Sequence, residues 1–191
     1  MRWAPRSYLL FAGLGCTLLA ASGPIVRRAA QTPVRLRVDL SKRTLTVLEN
    51  GEIVTTYTVA VGHDEYPTPT GRFLIRRIVW NPKWIPPNSD WARDFKPEPP
   101  GSRANPMKVV KMYFREPAYF IHGTDQLRSL GEAQSHGCIR MDPDDAYRLA
   151  RYVMDHGGGP RDEGWFERVL HFRRVEKTVY LDNPVPLTIV E

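Results

Sequence analysis

The dipeptide Asn50-Gly51 lies between TLTVLE and EIVTTYTVAVG, two runs rich in β-branched residues. Asn-Gly readily supplies the two positive-φ positions of a type I′ turn, so Thr44 to Gly62 is expected to form a tight β-hairpin. The residues just before it agree. Val34, Leu36, Val38 and Leu40 alternate with polar residues, the period of a half-buried strand. RFLIRRIVW (72–80), KVVKMYF (108–114) and AYFIHG (118–123) are further strand candidates. TVYL (178–181) and PLTIV (186–190) read as a final strand pair around Asn183-Pro184. The expected fold is mostly β with one or two short helices.

One helix is well marked. Asp142 suits an N-cap and Pro143 the first helical position, while Asp144 and Asp145 suit the positive end of the helix dipole. Ala146, Leu149, Ala150 and Val153 form its apolar face, and Gly157, Gly158 and Gly159 end it. A second short helix is expected over about 163–171, from Trp165, Phe166, Val169 and Leu170. Residues 81–106 hold seven prolines and two tryptophans and read as neither helix nor strand. Irregular segments of that length are usually functional or disordered. The aromatics favour an ordered flap.

At the N-terminus, Arg2 and Arg6 precede the uncharged run YLLFAGLGCTLLAA, Tyr8 to Ala21. The run is short for a spanning helix but suits the apolar core of an export signal, with Ala20 and Ser22 as small residues before a cleavage site. Residues 1–30 are therefore expected to be a signal peptide, or an N-terminal membrane anchor with linker, and 31–191 one catalytic-sized domain. Export would place the domain in the periplasm or cell envelope, and a retained anchor would attach it to a membrane. The first 30 residues hold four arginines and no acid, so the remainder has 23 basic and 21 acidic residues, a net of +2. That balance does not suit a nucleic-acid partner.

Removing the signal also removes Cys16, leaving Cys138 alone in an oxidising compartment. Such a cysteine is buried, paired between chains or chemically used. Its neighbours favour use. His122 closes the strand AYFIHG, and Cys138 follows 16 residues later in SHGCIRM. A nearby histidine can take the thiol proton and return it to a leaving amine. A third group normally fixes the histidine ring, and a backbone carbonyl or the Thr124 hydroxyl is available for that. Gly137 allows close backbone approach, so the amides of Gly137 and Cys138 can face a developing oxyanion, with His136 lining the pocket. Arg140 can fork onto a substrate carboxylate or serve a structural ion pair. His122, His136 and Cys138 lack a fourth ligand at usual spacing for zinc, so no metal and no cofactor are expected. His63, His156 and His171 have no chemical context in the sequence.

IHGTDQLRSLGEAQSHGCIRM, Ile121 to Met141, resembles the signature of the L,D-transpeptidase (YkuD-type) catalytic domain. YPTPTGRF, Tyr66 to Phe73, resembles a second recurring stretch of that family, and the likeness spans roughly 34 to 190. The resemblance implies a β-sandwich-like catalytic fold. It implies Cys138 as nucleophile, His122 as proton donor and acceptor, and the Gly123 carbonyl as the group that orients His122. His136, Gly137 and Cys138 would form the oxyanion site with Ser135 in support, and Arg140 would meet the peptide stem. Trp84 and Trp91 would contact substrate from a capping flap, though NPMKVVKM departs from the glycine-bearing form expected after Asn-Pro. The implied substrate is the tetrapeptide stem of peptidoglycan. D-Ala is released, and an amine resolves the thioester to form a new amide in the wall. The acceptor is left open among another stem, a protein lysine and a free D-amino acid. Two other readings also stay open: an L,D-carboxypeptidase or other peptidoglycan hydrolase on the same site, and a non-catalytic wall-binding module.

Overall fold

The computed structural model describes Met1, residues 34–172 and residues 175–191. The expected signal or anchor segment lies outside the described residues. Strands β1 (Val34–Asp39), β2 (Thr44–Glu49) and β3 (Glu52–Thr58) open the domain. Asn50 and Gly51 both take positive φ, 57° and 86°, and turn β2 into β3 as the Asn-Gly signal demands. The short β4 (Val61–Gly62) and the long β5 (Gly71–Trp80) follow, then β6 (Lys108–Arg115), β7 (Tyr119–Gly123), β8 (Ala133–Ser135) and β9 (Ile139–Met141). Two helices, α1 (Pro143–Gly157) and α2 (Glu163–Glu167), precede the last strand, β10 (Lys177–Val190).

The main sheet has eight strands in the order β3-β2-β1-β10-β5-β6-β7-β9, and β4 pairs with β8 in a separate two-stranded sheet. Just past β3, Ala60 bridges Arg140 of β9, with hydrogen bonds of 2.9 Å in both directions. Opposite edges of the main sheet are thus stitched together, and the sheet curls almost closed. Closure removes exposed strand edges, which otherwise invite pairing with other chains. Inward residues of every long strand meet α1 in one core. Leu36, Ile75, Trp80, Met112, Ile121, Ile139, Leu149 and Met154 are among its fully buried side chains. The Trp80 indole N–H donates to Met154 Sδ at 3.0 Å, so even the polar atom of this large side chain is satisfied.

The helix signals hold closely. Asp142 accepts from the amides of Asp144 and Asp145, and Gly158 ends α1 in the left-handed region at φ 85°. The second helix is shorter than expected, because Arg168–Phe172 widens into a π turn. The expected strand pair around Asn183-Pro184 is instead the single strand β10. Both halves pair with β5, and the register shifts between Tyr180 and Val185. Pro184 cannot donate a ladder hydrogen bond, and the irregularity accommodates it without reversing the chain.

Residues 81–107 leave the sheet between β5 and β6. Asn81 and Val109 mark their two feet, both at positive φ (46° and 67°), joined by a 2.7 Å bond from the Asn81 amide to the Val109 carbonyl. Only one 3₁₀ turn, Asp90–Ala92, and an isolated bridge between Trp84 and Glu98 give this flap regular structure. Asn105, almost fully buried, donates to the carbonyls of Pro82 and Pro99 and ties the flap to itself.

Candidate active site

Strands β7 and β9 run parallel, with Ile121 opposite Ile139 and His122 opposite Arg140. Ile121, Ile139 and Met141 face the core. Alternation therefore puts Phe120, His122, Cys138 and Arg140 on the other face, with Cys138 across from Phe120. The sequence separates His122 and Cys138 by a loop, and the sheet sets His122 on β7 beside β9, which Cys138 immediately precedes.

His122 is buried at 2% exposure, and its Nδ1 lies 2.8 Å from the Gly123 carbonyl. A carbonyl only accepts, so Nδ1 carries the proton and Nε2 keeps its lone pair. Burial disfavours the imidazolium and pushes the His122 pKa down to about 3, against the opposing pull of the Gly123 carbonyl. Gly123 must be glycine on packing grounds, since a Cβ there would lie 2.6 Å from the Lys108 carbonyl.

Cys138 is half-buried, and its thiol donates to the Ala118 carbonyl at 3.3 Å. Burial pushes the thiol up to about 11. The Phe120 amide and the charges of Lys111 and Arg140 act the other way. Cysteine and histidine therefore rest as a neutral pair. The Phe120 amide and the Lys111 and Arg140 charges favour a thiolate, but burial outweighs them.

Ser135, 1% exposed, links the signature loop to itself. Its hydroxyl donates to the Cys138 carbonyl and accepts from the Gly137 amide at 3.1 Å. This corrects one expectation: the Gly137 amide is engaged by Ser135, which leaves the Cys138 amide, of the two, for an oxyanion. Gly137 has φ 98°, and a Cβ there would meet the Tyr119 ring at 2.8 Å and the Pro67 carbonyl at 3.4 Å. Glycine is demanded here both by conformation and by space.

Arg140 donates to Gln126 Oε1 at 2.9 Å and has no carboxylate partner among the described residues. His136 carries the Trp91 indole stacked on its ring, centroids 3.9 Å apart and planes 13° apart. Trp84 packs within the flap itself. It is 7% exposed, its backbone pairs with Glu98, and its ring packs edge-on against Phe95 within the flap. Trp84 thus contributes to the flap's own small core.

Other residues at the site gave little or no signal in the sequence. His63 and Tyr66 pack edge-on around His136, with ring centroids 5.2 Å from it, so His63 does have a chemical context. The Thr68 hydroxyl accepts from the Gly62 amide at 2.8 Å and fixes the YPTPT stretch as a wall beside Gly137. Lys111 pairs with His122 across β6 and β7 and is only 7% exposed. The alternation Val110, Lys111, Met112, Tyr113 places it on the catalytic face, but which strand lies alongside is a matter of topology. A cavity of about 600 Å³ lined by Arg72, Arg76, Tyr113 and Glu116, among others, opens beside the β6–β7 turn and not over Cys138. No group of three or more His, Cys, Asp or Glu that could hold a metal occurs among the described residues. No described helix is long and apolar enough to cross a membrane.

Known proteins are similar to this chain in sequence and in fold. The sequence profile of the L,D-transpeptidase catalytic domain, YkuD, matches residues 33–179. A Bacillus licheniformis protein named "Putative L,D-transpeptidase YkuD" is 33% identical over 130 residues, covering 68% of this chain and 66% of that protein. The match thus spans just under two thirds of the relative's length. Among solved structures, the catalytic domain of the Enterococcus faecium L,D-transpeptidase superposes with a TM-score of 0.52 at 18% identity, covering 84% of this chain and 99% of that one. L,D-transpeptidase 3 from Mycobacterium tuberculosis, solved with a faropenem-derived adduct, gives 0.52 at 18% identity, covering 84% and 61%. At such identities the structural likeness speaks to fold, while the sequence profile speaks to descent. By fold and by sequence, the chain belongs to the L,D-transpeptidase catalytic-domain (YkuD) family.

Proposed function

We propose that this chain is an exported peptidoglycan L,D-transpeptidase that works through a Cys138 thioester. The observation that carries the reading is Cys138 immediately before β9, beside the β7 strand that bears a His122 whose Nδ1 is tied to Gly123, in a domain of this family. In the first half-reaction the Cys138 proton passes to His122 Nε2. The thiolate then attacks the carbonyl at the L-centre of the third stem residue. The Cys138 amide supports the oxyanion, and the C–N bond to D-Ala breaks as His122 returns the proton to the leaving amine. In the second, an acceptor amine attacks the thioester, gives its proton to His122, and the sulfur leaves.

Arg140, with no ion-paired carboxylate among the described residues, suits the stem's free carboxylate. Trp91 on His136 suits a cap that keeps water from the thioester. A water in place of the amine would make the same site an L,D-carboxypeptidase. The test is incubation of the purified chain with a disaccharide-tetrapeptide, with products followed by mass spectrometry. D-Ala release and crosslinked dimer are expected from the wild type and neither from Cys138→Ala. D-Ala release with tripeptide alone would point to hydrolysis, and undiminished activity of Cys138→Ala would remove the nucleophile assignment.

A further inference from the structure

Lys111 is a buried cation that the reaction just described does not use. Its Nζ donates to the Lys83 carbonyl at 3.1 Å and lies 4.8 Å from the centre of the Phe120 ring. It makes no ion pair among the described residues, and at 7% exposure it has little water to compensate. A lysine so placed is costly, because its desolvated charge has only a carbonyl and a ring face as partners. The groups that act on it electrostatically are Cys138, Glu176, Arg77 and Lys83. Lys111 in turn acts on His122. Burial pushes the Lys111 pKa down to about 8, so the amine is still mostly charged at neutral pH. Cys138 and Lys111 influence each other reciprocally, the thiolate favouring the ammonium and the ammonium favouring the thiolate.

We propose that Lys111 is a positioning residue of the catalytic centre, whose ammonium, held between the Lys83 carbonyl and the Phe120 ring, stabilises the Cys138 thiolate. The inference rests on the reading of Cys138 as nucleophile. Lys111 neither gives nor takes a proton in this role. The Cys138 proton goes to His122, and the Lys111 charge then acts on both products. It favours the thiolate. It disfavours the imidazolium, which makes His122 a stronger acid toward the leaving amine. The anchor of Lys111 is a carbonyl at the root of the flap, so the position of the charge depends on where the flap foot sits.

A strut that merely holds the flap would need a donor to the Lys83 carbonyl but no charge. Lys111→Gln keeps a donor and loses the charge, Lys111→Met loses both, and Lys111→Arg keeps both. The rate of iodoacetamide alkylation of Cys138 in the folded full chain is measured from pH 6 to 10 on the Cys138 peptide by mass spectrometry. Both neutral variants are expected to alkylate about tenfold more slowly at pH 7, corresponding to a thiol pKa about one unit higher, and Lys111→Arg to stay within about twofold of wild type. Wild-type reactivity in Lys111→Gln would overturn the proposal and leave a strut.

A second measurement needs no substitution. Wild-type protein is capped at Cys138 with iodoacetate or with iodoacetamide, and the Lys111 amine is titrated by nitrogen NMR. The anionic cap should raise its pKa relative to the neutral cap, and equal values would sink the idea. D-Ala release by the wild type is scored separately. Its absence alongside a charge-dependent thiol would refute the proposed function and not the Lys111–Cys138 coupling.

Discussion

The indole of Trp91 lies flat on the imidazole of His136, centroids 3.9 Å apart, so the flap touches the signature loop two residues from Cys138. Stacked aromatic pairs contribute roughly 0.5–1.5 kcal/mol beyond the area they bury. Trp91→Ala is therefore expected to loosen the cap without unfolding the domain. The ratio of tripeptide to crosslinked product should rise several-fold, while acylation of Cys138 by a carbapenem, read as intact mass, largely survives. Trp84→Ala should behave differently. Removing a buried indole from the flap's own core should disorder the flap, costing about 3–5 kcal/mol of local stability. Limited proteolysis across residues 81–106 separates the two outcomes.

Ser135 holds Gly137 and Cys138 with one hydroxyl. Ser135→Ala leaves a buried amide and carbonyl without that partner, which costs about 1–3 kcal/mol. The fall in kcat should exceed what the small drop in Tm explains, because the loop that aims the thiol is no longer fixed. Ser135→Thr, which restores a hydroxyl, should recover part of the loss. Equal kcat in wild type and Ser135→Ala would relegate Ser135 to packing.

The Arg140 guanidinium donates to the Gln126 side-chain oxygen and makes no ion pair among the described residues. Arg140→Lys keeps the charge and loses the planar fork. We expect kcat/KM to fall roughly tenfold on stems with a free carboxylate, about 1.4 kcal/mol, with little effect on Tm. Amidated stems should show almost no change. An equal loss on both substrates would assign Arg140 to the fold.

The acid stability of the domain should carry the mark of His122. Its folded pKa, about 3, lies below the ordinary 6.5. Between those values the unfolded chain holds a proton that the folded chain refuses, so stability rises with pH across that window. Above pH 6.5 this contribution is complete, and it is lost progressively as pH falls toward 3. Urea midpoints at pH 7.5 and 4.5 should therefore differ more in the wild type than in His122→Gln. Parallel losses would show that His122 is not the group being titrated.

The elements that were legible in the sequence are those specified by near neighbours. Asn50-Gly51 marks its own turn, and Asp142, Pro143 and Gly158 mark the ends of α1. The His122 and Cys138 motif is likewise local. The reading of 178–181 and 186–190 as two paired strands went astray because Asn183 and Pro184 are turn formers, whereas pairing of both halves with β5 keeps the strand continuous. Lys111 and His63 escaped for a related reason. Their significance comes from lateral neighbours, His122 across the β6–β7 ladder and His136 across the site, and no periodicity in a single segment states which neighbour that will be. Trp84 and Trp91 look alike in a proline-rich run. Only packing distinguishes the one that closes on the flap from the one that closes on the site.

The position of β10 governs when this sheet can be assembled. The C-terminal strand lies between β1 and β5, parallel to one and antiparallel to the other. Until Lys177–Val190 arrive, β1 lacks the strand that links it to β5, and the β1–β10 contacts are among the longest-range in the chain. Loop closure over such separations slows folding. The main sheet therefore stays open between β1 and β5 until β10 inserts, so its closure is expected to come late in folding, after the local turns and α1 have formed.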